Sequence, residues 1–250
     1  MASIVDHFIA PPCEESIEIL YQDDALVVIN KPSGLLSLSG KNPLNWDSVH
    51  HRLIQQFPGC TLVHRLDFGT SGLMLVGLNK MITAALSQQF SERSVDKTYH
   101  ALLCGHLPEN SGVIDAPIAK DPQHFPLMRI DATTGKPAQS QFEVEQRTEF
   151  KLISGHSLPV TQVKLSPLTG RTHQLRLHCQ HLGFPILGCD LYGGRDYSEE
   201  GSHPRLMLHA SVLRFQHPLS GLSMTIESPL PFSPSDNNRG HNESLFPRSD

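Results

Sequence analysis

Apolar residues along the first eighty positions fall into short dense runs divided by turn-forming residues. The stretch "IEILYQDDALVVINKPSGLL" carries two such runs on either side of Asp23 and Asp24. Its second run, Val27-Val28-Ile29, is too β-branched to favour a helix, and Pro32-Ser33-Gly34 ends it, so two strands joined by a turn are predicted. Over residues 46–57 the rhythm changes: Val49, Leu53, Ile54 and Phe57 recur at helical spacing until Pro58-Gly59 stops them. Residues 73–78 form a continuous apolar run expected as a buried strand, and a helix over 80–93 places Ala84, Ala85, Leu86 and Phe90 inward. From Lys97 to Lys164 strand-like runs dominate: "KTYHALLCG", "SGVIDAPI", "AQSQFEVEQRT", "FKLISG" and "PVTQVKLSP". A further helix is predicted in "TGRTHQLRLHCQHLG", stopped at Gly183, and a last strand pair in "RLMLHASVLRF" and "SMTIES". Many strands, a few helices and no βαβ rhythm predict an α+β fold on a large, mostly antiparallel sheet. No internal repeat suggests a solenoid.

Composition narrows the class. A chain of 250 residues can bury a large core, and 38% hydrophobic with 18% charged residues is the balance of a globular protein. No apolar run approaches the roughly 18–20 residues that span a bilayer, and the start "MASIVDHFIAPPCEES" lacks the basic region of an export signal. A cytoplasmic protein with no membrane partner is therefore expected. Five cysteines, an odd number without a C-x-x-C pair, argue against a disulfide framework or zinc knuckle and for buried reduced thiols. The net charge of −5 is unevenly spread: residues 1–30 hold six acids and no Lys or Arg, and residues 227–250 hold four acids and two Arg. Between them stand 15 acids against 18 bases, a net of +3. Acidic ends around a mildly basic middle permit an RNA partner, although an ordinary solvated surface has the same signature.

Candidate chemistry concentrates in a few segments. "HRLDFGTSG", residues 64–72, places a carboxylate, Asp67, in a turn between apolar runs, with Arg65 two positions earlier. Alone, D-F-G-T suits an Asx turn or a helix cap. Arg171 and Arg176 in "TGRTHQLR" have no acid within ten residues on either side, so any acidic partner comes from farther away in the chain. A phosphate-binding Walker loop is excluded there, because Leu165 and Arg171 stand where Gly and Lys are needed. A helix through this segment would point Arg171 and His178 one way and His173, Arg176 and Gln180 another. One basic face could meet a carboxylate while the other contacts phosphate; a surface arginine pair fits the same pattern. Tyr99 alternates with Ala101 and Leu103 and points inward, as core tyrosines also do. The fifteen histidines include no H-x-x-x-H or H-E-x-x-H pair, and His178 and His181 lack a nearby carboxylate, so no metal site is expected. A D-x-D-x-T phosphatase is excluded by Gly69, and a glycosidase by the lack of an obvious second carboxylate near the motifs.

Together these segments resemble the RluA-type family of pseudouridine synthases. "HRLDFGTSG" matches that family's H-R-L-D-x-x-T-S-G, "KTY" its K-x-Y, "GRTHQLR" its G-R-[TS]-H-Q-[LI]-R, and "LMLHA" its Leu-His-Ala element. The likeness extends from about residue 17 to 232, with one departure: Cys189 follows Gly188 where the family usually carries Asp. The resemblance implies a pseudouridine synthase fold, its sheet flanked by helices and loops around a central catalytic cleft. Residues 1–16 would be an N-terminal extension, 17–232 a single catalytic domain without an S4 domain, and 233–250 a flexible tail.

The implied activity is isomerisation of uridine to pseudouridine in RNA stem-loops. Asp67 would act on the ribose, as nucleophile at C1′ or by taking the C2′ proton, with Arg176 as its ion-pair partner. Tyr99 would stack on the uracil, Leu208 would pack on the ring's other side, and Arg65 would fill the gap left by the flipped base. Arg171 and His173 are candidate substrate contacts. Breaking the N1–C1′ bond and rejoining through C5 involves neither redox change nor phosphoryl transfer, so no cofactor and no metal is expected. The implied partner is RNA, a tRNA anticodon stem-loop or a similar hairpin of 23S rRNA, bound by a monomer. The competing reading is a non-catalytic RNA-binding or ribosome-assembly factor on the same fold, for which Asp67 would be dispensable.

Overall fold

The computed structural model describes residues 8–151, 157–193 and 205–233. Apart from Ser233, the expected tail lies outside the described residues, as do the first seven residues. In chain order the elements are β1 (Glu18–Gln22), β2 (Leu26–Lys31), α1 (Val49–Gln56), β3 (Thr61–Leu62), β4 (Ser71–Gly77), α2 (Lys80–Ser91) and β5 (Asp96–Cys104). There follow β6 (Ser111–Asp115), β7 (Ile118–Lys120), β8 (Met128–Ile130), β9 (Gln139–Lys151), β10 (Ser157–Pro167), α3 (Gln174–His181), β11 (Leu208–Gln216) and β12 (Ser223–Glu227). The fold is α+β. The chain divides into two compact units, Met1–Asp96 with Val212–Ser228, and Lys97–Ser211 with Pro229–Asp250.

In the first unit β2 pairs antiparallel with β1 and β4, and β3 adds to the end of β4. The β1–β2 turn forms because the Asp23 carboxylate accepts from the amides of Ala25 and Leu26 at 2.8 and 2.9 Å. Every residue of β4 is buried, as its unbroken apolar run requires when both faces of a strand are covered. Leu26, Val28, Leu73 and Leu75 pack with Ile82 and Leu86 of α2 and with Leu213 and Phe215 of β11. Helix α2 begins where the Asn79 side chain accepts from the Ile82 amide at 3.0 Å. Gly77 lets it lie close: a Cβ there would meet Thr83 Oγ1 at 2.3 Å and the Thr83 backbone at 2.9 Å.

In the second unit β5 pairs with β10, β10 with β9 and β9 with β6, all antiparallel, while β7 and β8 form a separate ribbon. "AQSQFEVEQRT" and the start of "FKLISG" merge into the single strand β9; residues 152–156 lie outside the described residues. Strand β8 was not legible in the sequence, because three residues carry no measurable alternation. The core gathers Leu102, Leu103, Val163, Leu165, Leu175 and Leu208. No helix among the described residues is long and apolar enough to cross a membrane.

Candidate active site

The turn that carries Asp67 is fixed from beneath by the segment that follows β2. Lys31, with no exposed surface, donates from Nζ to the carbonyls of Pro32 at 2.9 Å, Leu35 at 2.7 Å and Phe68 at 3.1 Å. Ser33 Oγ donates to the Gly69 carbonyl at 2.7 Å, and the Gly34 amide donates to the Phe68 carbonyl at 3.0 Å. Ser37 Oγ donates to the Leu66 carbonyl and accepts from the Leu66 amide, while the Thr70 amide closes the turn onto the Asp67 carbonyl at 3.1 Å. One residue upstream of Arg65, His64 Nε2 accepts from the Leu75 amide at 3.0 Å, and its ring stacks on Phe90 at 4.6 Å. That bond requires Nε2 to be unprotonated. The backbone of residues 66–70 is thus tied at each peptide, with Leu66 buried, Asp67 half-buried and Arg65 exposed.

The arginine motif lies in the second unit, and its helix starts later than the sequence pattern suggests. Helix α3 begins at Gln174, after His173, whose φ of 55° lies in the left-handed region that non-glycine residues seldom occupy. Gln174 is buried and explains the break. Its Oε1 accepts from Thr169 Oγ1 and from the Arg171 amide, and its Nε2 donates to the Gln139 carbonyl and Ser140 Oγ. Arg171 therefore precedes the helix, with Nε donating to the Pro137 carbonyl at 3.0 Å. The shared helix side expected for Arg171 and His178 does not form, because Arg171 precedes the helix and His178 is fully buried, bonded to Ser140 Oγ at 2.9 Å and to the Ala116 carbonyl at 3.0 Å.

Arg176 is 4% exposed. Its Nε and Nη2 each donate to the Cys189 sulfur at 3.4 Å, and Nη2 also pairs with the carboxylate of Asp190. The guanidinium lies 5.6 Å from the centre of the Tyr192 ring, whose hydroxyl meets His173 Nδ1 at 2.9 Å and accepts from the Met128 amide. At the departure from the family pattern, the Cys189 sulfur therefore lies against the guanidinium, and the next residue, Asp190, supplies a carboxylate. Tyr99, half-buried opposite Leu165, packs against the cluster that contains Leu208, Leu175 and Cys189. The second unit therefore brings Tyr99 and Leu208 into one cluster and sets His173 and Arg176 around Tyr192, while Asp67 and Arg65 share the turn of the first unit.

Lys31, Gln174, Asp190 and Tyr192 were not singled out from the sequence. Gln174 stood inside the arginine motif and Lys31 in the opening strand run, while the contacts of Lys31, Asp190 and Tyr192 depend on which segments pack together. All five cysteines are free, four buried and Cys13 half-buried. Burial first, and the nearby Cys189 second, pushes the Cys104 thiol up to about 12 and the Cys179 thiol upward as well, so both stay protonated. Among the described residues no three His, Cys, Asp or Glu side chains are grouped as metal ligands would be; His203 lies outside them.

Comparison with known proteins bears on what this arrangement does. Residues 25–181 match the family model described as RNA pseudouridylate synthase. A "Dual-specificity RNA pseudouridine synthase RluA" from Vibrio vulnificus (strain CMCP6) is 41% identical over 90% of this chain and 87% of its own length. The protein of the same name from Escherichia coli (strain K12) is 41% identical over 89% of this chain and 97% of its own. Among solved structures, Human RNA Pseudouridylate Synthase Domain Containing 1 superposes with a TM-score of 0.73 at 35% identity, covering 90% of this chain and 88% of that one.

Proposed function

The chain belongs to the RNA pseudouridylate synthase family and is an RNA pseudouridine synthase, and from that premise we propose how its residues share the work. Asp67 is the catalytic carboxylate, acting on the ribose at C1′ or C2′; both routes need it ionised. Arg176 is its ion-pair partner, a guanidinium that retains its own proton at any working pH. Tyr99 and Leu208 enclose the uracil while it is detached and turned, because a base free to diffuse would be lost. Arg65 enters the stack in place of the flipped base, and Arg171 and His173 hold the RNA. The observation that carries this reading is the turn of residues 66–70, tied at each peptide by Lys31, Ser33, Gly34, Ser37 and its own Thr70 amide, a rigidity a solvent-facing loop has no use for.

The substrate is an RNA stem-loop, a tRNA anticodon arm and a similar hairpin of 23S rRNA. Two targets accord with the "dual-specificity" in the names of the relatives. Extruding a base costs a few kcal/mol, least where the strand is already unpaired, and proteins read RNA sequence mainly at such loops. The working form is a cytoplasmic monomer with residues 17–232 acting as one catalytic body. Asp67→Asn is expected to lower conversion of a tritiated uridine substrate at least about a hundredfold while RNA affinity stays within a few-fold. Near wild-type conversion by that variant would refute the assignment and restore the non-catalytic alternative. Pseudouridine mapping of RNA from cells with and without the gene identifies the targets.

A further inference from the structure

The Trp46 loop and the N-terminal arm of the first unit have no part in the catalytic assignment, yet they form a rigid aromatic surface beside the Asp67 turn. The Gly40 amide closes the loop onto the Asn45 carbonyl at 2.8 Å, and a Cβ at Gly40 would lie 2.8 Å from Asn45 Cβ, so glycine is needed there. Asn45 is 3% exposed and grips the arm: Oδ1 accepts from the Ala10 amide at 2.8 Å and Nδ2 donates to the Phe8 carbonyl at 2.7 Å. Arg52 holds the arm farther along through the carbonyls of Cys13 and Glu15, and neutralises Asp47 with its remaining donors. The Trp46 indole is braced by the His51 ring at 4.7 Å but stays 57% exposed. Of the eleven large hydrophobic residues exposed among those described, five (Phe8, Ile9, Leu38, Leu44 and Trp46) belong to this arm and loop, which is a patch rather than scatter.

Between arm and loop lies a cavity of about 170 Å³ walled by Pro12, Cys13, Gly34, Leu36, Leu44 and Trp46. It adjoins the catalytic turn, because the Gly34 amide bonds the Phe68 carbonyl and the Phe8 ring meets the Phe68 ring edge-on at 5.4 Å. We infer that this cavity receives an unpaired nucleobase of the RNA loop that carries the target uridine, stacked on Trp46. The size fits, since a cavity of about 150 Å³ already admits benzene. Lys41, exposed on the same loop, offers a cation to the adjoining phosphate, and Asp47 in the wall is paired with Arg52, while the exposed Glu14 and Glu15 lie farther along the arm. Occupancy by RNA rests on the isomerase reading above and adds to it a second base-binding point.

Trp46 is the sole tryptophan of the chain, so its fluorescence reports the site directly. The full-length protein is titrated with the anticodon stem-loop RNA. Quenching that saturates with the same Kd as RNA binding is expected. Trp46→Ala should raise KM about 5- to 150-fold, the loss of one base–aromatic stack, with a much smaller change in kcat, and Trp46→Phe should recover most of it. An abasic nucleotide at one loop position should reproduce that loss and leave the Trp46→Ala variant no further effect. Fluorescence unmoved at saturating RNA, or an unaltered KM in Trp46→Ala, overturns the inference. So does quenching that follows protein concentration without RNA, which would make the patch an interface between copies. Wild-type turnover on the same RNA judges the isomerase assignment separately.

Discussion

Lys31 shows how one residue links stability to the turn proposed to carry the chemistry. An ammonium taken out of water is costly unless its donors are satisfied, and here they reach three carbonyls, one of them next to Asp67. Lys31→Met keeps the apolar stem but strands the Pro32 and Leu35 carbonyls at about 1–3 kcal/mol each, so a loss of about 2–6 kcal/mol is expected. A chain of this length should then melt about 5–25 °C lower. Calorimetry measures that shift, and kcat measured well below the new Tm should also fall, because the Phe68 carbonyl loses an anchor. The sequence offered "NKPSG" only as the end of a strand; nothing in its pattern distinguishes a buried lysine from a surface one. Asp67, by contrast, stood out in sequence because a carboxylate in a glycine-rich turn between apolar runs is unusual company.

Strands and most helices followed the periodicity where an apolar face meets a core and less well at their ends, but α2 buries Ile82 with Leu86 and leaves Ala84, expected inward, exposed. Helix α1 starts at Val49 rather than 46 because the Ser48 side chain caps it by accepting from the His51 amide. Helix α3 starts at Gln174 because that side chain takes the bonds of the preceding turn, a choice invisible to spacing. Helix α2 provides a test of close approach. In Gly77→Ala the new methyl would meet the backbone of Thr83 as well as its hydroxyl. Overpacking of this kind should cost about 1–3 kcal/mol in urea unfolding. Thr83→Ala added to it should recover only part, since the contacts at 2.9 Å to Thr83 N and Cα remain.

For the molecule as a whole, acid is the condition to fear. His209 is 1% exposed, and burial first, then Arg205 and His100, holds its pKa down to about 3. The folded protein keeps His209 neutral while the unfolded chain binds a proton near pH 6.5, so its contribution is intact above about pH 6.5 and drains away as pH falls toward 3. The slope is at most about 1.4 kcal/mol per pH unit for this residue, and burial lowers the pKa of His178 in the same direction. Urea midpoints should drop steadily between pH 6.5 and 4, and His209→Gln should flatten that decline; an unchanged slope would count against it. Among the described residues the sequence alone determined most of the strands and helices, the sites of the turns and the family chemistry, because periodicity, glycine placement and motif spacing are local properties written in order along the chain. Tertiary structure decided what lies beneath that chemistry: the bond of Lys31 to Phe68, those of Gln174 to Gln139 and Ser140, and the grip of Asn45 on the arm. Each of these joins segments more than thirty residues apart, and a contact between distant segments exists only once the chain has folded.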